Sequence, residues 1–191
     1  MKDISLTLKE NEERVLPLVW TLGSGEVNID AKLAGRGAKL SILGALLLAD
    51  QDELKVNISI DHIAPDTFSD TLIKSVLTER AQGRFYGLVK IKKGAKNTNT
   101  YFREDALLLS KKAKAEAIPA LEIDENEVKA GHASTVGPVD PEQIFYLQSK
   151  GITQSMAKRM IVQGYFAGII PALPEIEKGK MLAFLDKNFK I

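Results

Sequence analysis

His132 and His62 are the only histidines in a chain of 191 residues that contains no cysteine. A neutral imidazole can ligate a metal or carry a proton near neutral pH. His132 sits in Lys129-Ala130-Gly131-His132-Ala133-Ser134-Thr135, where small neighbours leave its ring uncrowded. Two readings stand for it: a metal-ligating or proton-relay residue, and a histidine that hydrogen-bonds where strands give way to helices. The residues alone favour the second. His62, in Asp61-His62-Ile63-Ala64-Pro65, lies where a strand runs into a loop and reads as a hydrogen-bonded corner histidine.

Glu122, Asp124, Glu125 and Glu127 precede His132. Together they would form an oxygen-and-nitrogen metal site, with His132 as the metal candidate and Glu122 as its weaker neighbour. The alternate spacing of Glu125 and Glu127 fits a solvated strand face or turn better. Lys90, Lys92, Lys93 and Lys96 resemble a phosphate tracker, but Lys90 and Lys92 alternate with Val89 and Ile91 and read as the wet face of a strand. No aromatic platform is interleaved with them.

With 26 Lys plus Arg against 25 Asp plus Glu, the net charge of +1 supplies no field for a polyanion, and nucleic acid is not an expected partner. The missing cysteines exclude a thiolate nucleophile and any zinc or iron–sulfur site built from this chain's own thiolates. No P-loop, dinucleotide-binding glycine fingerprint, nucleophile elbow or zinc-protease helix occurs, so no enzyme activity is expected. The first 14 residues are charged throughout, and the longest apolar run, residues 43–49, is far short of the roughly 20 residues of a membrane span. The expectation is a cytoplasmic protein with no membrane partner.

The elements that must position these residues fall into two textures. As far as about Ile123 the dominant period is two: Ile4, Leu6 and Leu8; Val27, Ile29 and Ala31; Val56, Ile58 and Ile60. Such alternation marks strands with one face inward. A sandwich or barrel would show Asn-Gly or Asp-Gly hairpin turns, and neither dipeptide occurs. Short strands between small corner residues suit a β-solenoid better. No exact repeat is visible, and the apolar residue at every sixth position of a left-handed hexapeptide helix is not sustained.

After Gly137 the pattern turns helical. Asp140 caps a helix that opens with Pro141, has Gln143 at the capping-box position and stops at Gly151. Thr153 caps a second helix, and residues 175–189 form a third with Met181, Leu182, Leu185 and Phe189 on one face. Phe145 and Tyr146 read as core rather than as a ligand box. Residues 161–170 are apolar beyond one buried stripe. That excess either stays exposed as a partner site or is covered by the third helix; the partner-docking candidates are Phe145, Tyr146, Tyr165 and Phe166.

Four segments in order carry a family resemblance: residues 62–69 (HIAPDTFS); residues 84–89 (RFYGLV); residues 107–110 (LLLS) with 119–123 (PALEI); and residues 132–137 (HASTVG) followed by 142–147 (EQIFYL) and Lys150-Gly151-Ile152. The set, spanning roughly residues 35 to 170, resembles the SufB/SufD family of iron–sulfur cluster assembly proteins. The resemblance implies a mainly β fold, a right-handed parallel β-helix core over residues 1–137, and a C-terminal helical region over residues 138–191. It also implies pairing with a SufB-type homologue or with a second copy as a homodimer, and docking of a SufC-type ABC ATPase by the helices. Members often carry a cysteine where Ala130 stands, and often read Thr-Asp-Ala where this chain has Thr98-Asn99-Thr100. The chain therefore looks like a short SufD-type partner. No cofactor is expected on it alone, and an iron–sulfur cluster only transiently, with a cysteine-bearing partner. The alternatives are a β-helix interaction module that has lost cluster chemistry, and an unrelated β-helix enzyme such as a carbohydrate lyase, against which the lack of dense Asp clusters for calcium argues.

Overall fold

The computed structural model describes residues 1–21 and 23–188. Sheet A is parallel and runs in the order β1 (Lys2–Leu8), β3 (Gly25–Leu33), β5 (Glu53–His62), β7 (Gln82–Ile91) and β9 (Lys114–Ile123). Sheet B is also parallel and consists of β2 (Glu13–Trp20), β4 (Lys39–Leu48), β6 (Phe68–Leu77), β8 (Asn99–Leu108) and β10 (Lys129–Pro138). The chain alternates between the sheets, so each odd–even pair adds one rung to a parallel β-helix of five rungs. This is the solenoid that the missing hairpin turns favoured.

The repeat is hard to see because its length drifts. Lys2 pairs with Val27, 25 residues on; Val56 pairs with Phe85, 29 on; Phe85 pairs with Ala117, 32 on. Corners absorb the difference. Asn11, Asp50, Asp66, Glu79 and Asn97 all take positive φ, a conformation that Asn and Asp tolerate better than other side-chain-bearing residues.

Inward rows of sheet A such as Val27, Val56 and Phe85 meet inward rows of sheet B such as Leu40, Ile42, Leu46 and Leu48 in one continuous core. The outer face of sheet B is apolar too. Ala45, Leu47, Ala49, Val76 and Leu109 are buried beneath the C-terminal helices. A strand buried on both faces reads as an unbroken apolar run rather than as alternation, which is why LGALLLA in β4 carries no period of two.

The helices are α1 (Pro141–Ser149), α2 (Gln154–Phe166) and α3 (Glu175–Asn188), with a 3₁₀ turn at Ile170–Ala172. Asp140 accepts from the Glu142 amide at 2.9 Å and Thr153 from the Met156 amide at 3.3 Å, so both expected caps are formed. In α3 the buried residues are Met181, Phe184 and Leu185, whereas Leu182 is half-exposed. The expected inward Leu182 is thus replaced by Phe184, because α3 lies against α2 and sheet B along a different stripe; Phe189 lies outside the described residues. The helices close one side of the solenoid, and among the described residues no further strand follows β9 and β10 at its C-terminal end.

Candidate functional site at the open end of the solenoid

β9 and β10 are the last strands of their sheets. Ile123 continues the inward row of Leu33, His62 and Ile91. It is 44% exposed, whereas Ile91 one rung below is 0% exposed. Val136 continues the inward row of Ser75 and Ala106 and is 43% exposed. Both stand open because no sixth rung covers them. The terminal strands also keep one row of backbone hydrogen-bonding groups free for another strand edge.

His132 lies on β10 in register with Phe102, in an inward row, and is exposed at this open end. Ala130 occupies the next inward position, in register with Thr100. Glu122 is elsewhere. On β9 it pairs with Lys90 of β7 and lines a shallow groove on the outer face of sheet A with Asn57, Tyr86 and Leu88. The two expected site residues therefore sit on different sheets, one facing the lumen and one facing away, and they do not form a joint site. Alternation along β9 puts Leu121 inward and Glu122 outward. Glu125 lies in the following turn, accepts from the amides of Gly94 and Asn126 at 3.0 and 2.9 Å, and is held below the ordinary carboxylate range by those amides. Glu125 thus lies in a connection between strands, as expected, but it is buried at 4% exposure and not solvated as the spacing suggested. Lys93 and Lys96 pair with Glu125 and Glu127 on the next rung, which cancels much of the basic run.

His62 ends β5 and is fully buried in the lumen corner. Its Nδ1 is 2.8 Å from Thr67 Oγ1 and its Nε2 is 2.8 Å from Ser69 Oγ. Thr67 Oγ1 is also 3.2 Å from Ala64 O and 3.0 Å from Thr98 Oγ1, and Ser69 Oγ is 2.7 Å from Thr100 Oγ1, so both ring nitrogens are engaged by hydroxyls that bond onward, with the direction of each bond set by the tautomer. Burial lowers the His62 pKa to about 4, which keeps the imidazole neutral at pH 7. His62 is the hydrogen-bonded corner residue its sequence context indicated.

One ionisable lumen residue carries no such signal. Glu104 on β8 shares an inward row with Ile73 and Ser134, is 2% exposed, and has no hydrogen-bond partner for either carboxylate oxygen. Burial lifts its pKa to about 7. The alternation Phe102, Glu104, Ala106 would have exposed it as an inward acid once the register of β8 was known.

The docking candidates divide. Phe145 and Tyr146 on α1 are 73% and 61% exposed, so they are surface residues and not the core pair expected; α1 buries no residue at all. Phe166 is buried against α3 and sheet B and is not available to a partner. Tyr165 is half-buried: its hydroxyl donates to Asp105 O at 2.7 Å, and Lys74 Nζ lies 4.7 Å from its ring centre and donates to its carbonyl. The apolar excess of residues 161–170 is absorbed by two coverings, α3 and the apolar outer face of sheet B. Among the described residues no helix is long and apolar enough to cross a membrane.

Comparison with known proteins places this geometry. Residues 19–165 match the family model described as SUF system FeS cluster assembly, SufBD core domain. An iron–sulfur cluster assembly SufBD family protein of Mycobacterium tuberculosis is 34% identical over 182 residues, covering 89% of this chain and 46% of the relative. A SufBD family protein of Mycobacterium leprae is 33% identical over 183 residues, with 90% and 46% covered. The iron–sulfur cluster assembly protein SufD of Bacillus subtilis is 39% identical over 132 residues, with 69% and 30% covered. The chain spans about half the length of the mycobacterial relatives it matches, and less of the Bacillus one.

Proposed function

Because the chain belongs to the SufBD family of the SUF iron–sulfur cluster assembly system, we propose that it is a non-catalytic partner subunit in cluster assembly. It pairs through the open fifth rung with a cysteine-bearing SufB-type homologue, or with a second copy, and it docks a SufC-type ABC ATPase through its helices. The observation that carries the pairing is the exposure of Ile123 and Val136, two inward-row apolar residues with nothing above them. Apolar surface in that position is removed from water by another strand edge. The docking surface narrows to α1, whose Phe145 and Tyr146 face solvent. The cytoplasmic location belongs to the same reading.

Cluster chemistry enters only in the pair. Iron–sulfur clusters are held chiefly by thiolates, and this chain has none. His132, exposed on the pairing strand, supplies a ligand or a proton relay at a contact where the homologue supplies sulfur. Anaerobic reconstitution with iron and sulfide tests this. The lone chain should show no stoichiometric cluster by absorbance and iron count, and the pair should. A stable cluster on the lone chain would contradict the proposal. A second reading, an interaction module without cluster chemistry, is favoured by Ala130 in the inward position beside His132; it predicts pairing without a cluster in either sample.

A further inference from the structure

The outer face of sheet A changes character along its rungs. Asp3, Asn28, Asn57, Tyr86 and Ile118 form one outward row across β1, β3, β5, β7 and β9. Over its first three rungs the row is a polar ladder. Asn28 Nδ2 donates to Asp3 Oδ1 at 2.8 Å, and Asn57 Nδ2 donates to Asn28 Oδ1 at 2.6 Å. A further amide would meet Asn57 Oδ1, but the next two residues are aromatic and aliphatic, and Asn57 Oδ1 receives no hydrogen bond among the described residues. Ile118 is 45% exposed. With Tyr86, and with Leu88 of the neighbouring row, it floors a groove of about 520 Å³, a volume within the usual span of ligand sites.

The groove carries charge of one sign. Asp30 and Glu122 line it, and no Lys or Arg does. Neither carboxylate has a hydrogen bond or ion pair among the described residues, whereas Glu26 on the same sheet is paired with Lys55 at 3.3 Å. Lys32 and Lys90 stand in the adjoining outward row, one on each side of Asp61. Asp30 on β3 and Glu122 on β9 are three strands and one row apart. Strand spacing and rise put their Cα atoms roughly 16 Å from each other, with the apolar floor between them.

We propose that this groove binds an extended peptide segment of a partner protein in which two basic side chains flank an apolar one, in the order basic-x-apolar-x-basic. In an extended chain alternate residues face one side, and the two basic positions are about 13 Å apart. Long, flexible basic side chains cover the remaining distance to Asp30 and Glu122. The apolar residue packs on Leu88 and Ile118. Tyr86 offers its ring to one cation, and Asn57 Oδ1 is an acceptor for its N–H groups. Two unpaired carboxylates repel an acidic segment, and a neutral sugar would leave them without a counter-charge. The site lies on the sheet that the helices do not cover, and it depends on neither pairing nor ATPase docking.

The test uses the full chain and a fluorescein-labelled peptide, Arg-Ser-Leu-Ser-Arg, followed by fluorescence anisotropy. The expected result is saturable binding of one peptide per chain, lost when both arginines are replaced by glutamate and clearly weakened when the leucine is replaced by serine. Asp30→Asn and Glu122→Gln should each weaken binding about threefold, the scale of one exposed ion pair, and together about tenfold. Both residues are exposed, so the circular dichroism spectrum should not change. Ile118→Ser should weaken binding too, and Glu13→Gln, on sheet B, should bind as wild type. Absence of saturable binding, equal binding of the peptide that lacks leucine, or wild-type affinity in the Asp30→Asn, Glu122→Gln double variant would overturn the site. Saturable binding of maltose with none of the peptide would overturn it as well, because the groove would then be a sugar site.

Discussion

The Phe102 ring on β8 occupies the space above Gly87 on β7, where the Cβ of any larger residue would collide with it. Gly87 pairs with Ile58 and Pro119 in an inward row of sheet A. A glycine there lets an aromatic side chain of sheet B reach across the lumen. Gly87→Ala should therefore destabilise the protein by about 1–3 kcal/mol, the usual cost of overpacking a filled core. Combining it with Phe102→Leu should recover part of the loss in a double-mutant cycle followed by chemical denaturation. Additive effects would show that the two residues do not share that space.

The buried His62 makes stability fall in acid. Its pKa is about 4 in the fold against 6.5 for the free side chain, so the unfolded chain binds the proton more readily. The stabilisation is complete above pH 6.5 and is lost as pH falls toward 4, by about 3 kcal/mol at most. Because Glu104 titrates in the opposite direction over nearly the same window, the decline should appear in thermal melts from pH 7 to pH 4.5 of a Glu104→Gln background, where that opposing group is removed. His62→Gln, less stable at pH 7, should show a shallower one. An equal slope in both proteins would mean that another group titrates.

Glu104 acts in the opposite direction. Its pKa is about 7 in the fold against 4.5 for the free side chain, so the fold retains a proton that the unfolded chain releases. The fold carries no penalty from this group below about pH 4.5 and loses up to about 3 kcal/mol as pH rises through 7. Glu104→Gln should melt at a higher temperature than wild type at pH 8 in metal-free buffer, with little gain at pH 4.5. A lower melting temperature at pH 8 would show that the carboxylate is satisfied in solution.

Among the helical aromatics, Phe145→Asp and Tyr146→Asp should leave the circular dichroism spectrum unchanged and abolish capture of the SufC-type ATPase in a pull-down. Phe166→Asp places a charge in the core between α2, α3 and sheet B and should unfold the helical layer, with a cost of several kcal/mol on the order expected for a buried unpaired charge. Normal capture by both α1 variants would move the docking surface off α1.

The solenoid was legible where one face of a strand meets water. Val27, Ile29 and Ala31 alternate cleanly because sheet A is solvated outside. Sheet B hid its period for two separate reasons. Its β4 strand is apolar on both faces, and in β6 and β8 the inward rows carry Ser69, Thr71, Ser75, Thr100 and Glu104, so hydrophobicity does not mark the inner face there. The caps at Asp140 and Thr153 were readable because capping is local. The separation of Glu122 from His132 was not readable, since it depends on which sheet each strand joins. The same ignorance of the apolar outer face of sheet B made Phe166 look exposed.

The claim that the fifth rung is a pairing edge is tested most directly by multi-angle light scattering. The untagged chain is measured alone and mixed with a SufB-type homologue, wild type beside a variant carrying Ile123→Lys and Val136→Lys. The account predicts either a particle of twice the chain's 21.0 kDa or a one-to-one complex with the homologue, and return of the variant to 21.0 kDa in both samples. A wild-type chain that stays at 21.0 kDa in both samples, or a variant that pairs as well as wild type, would contradict it.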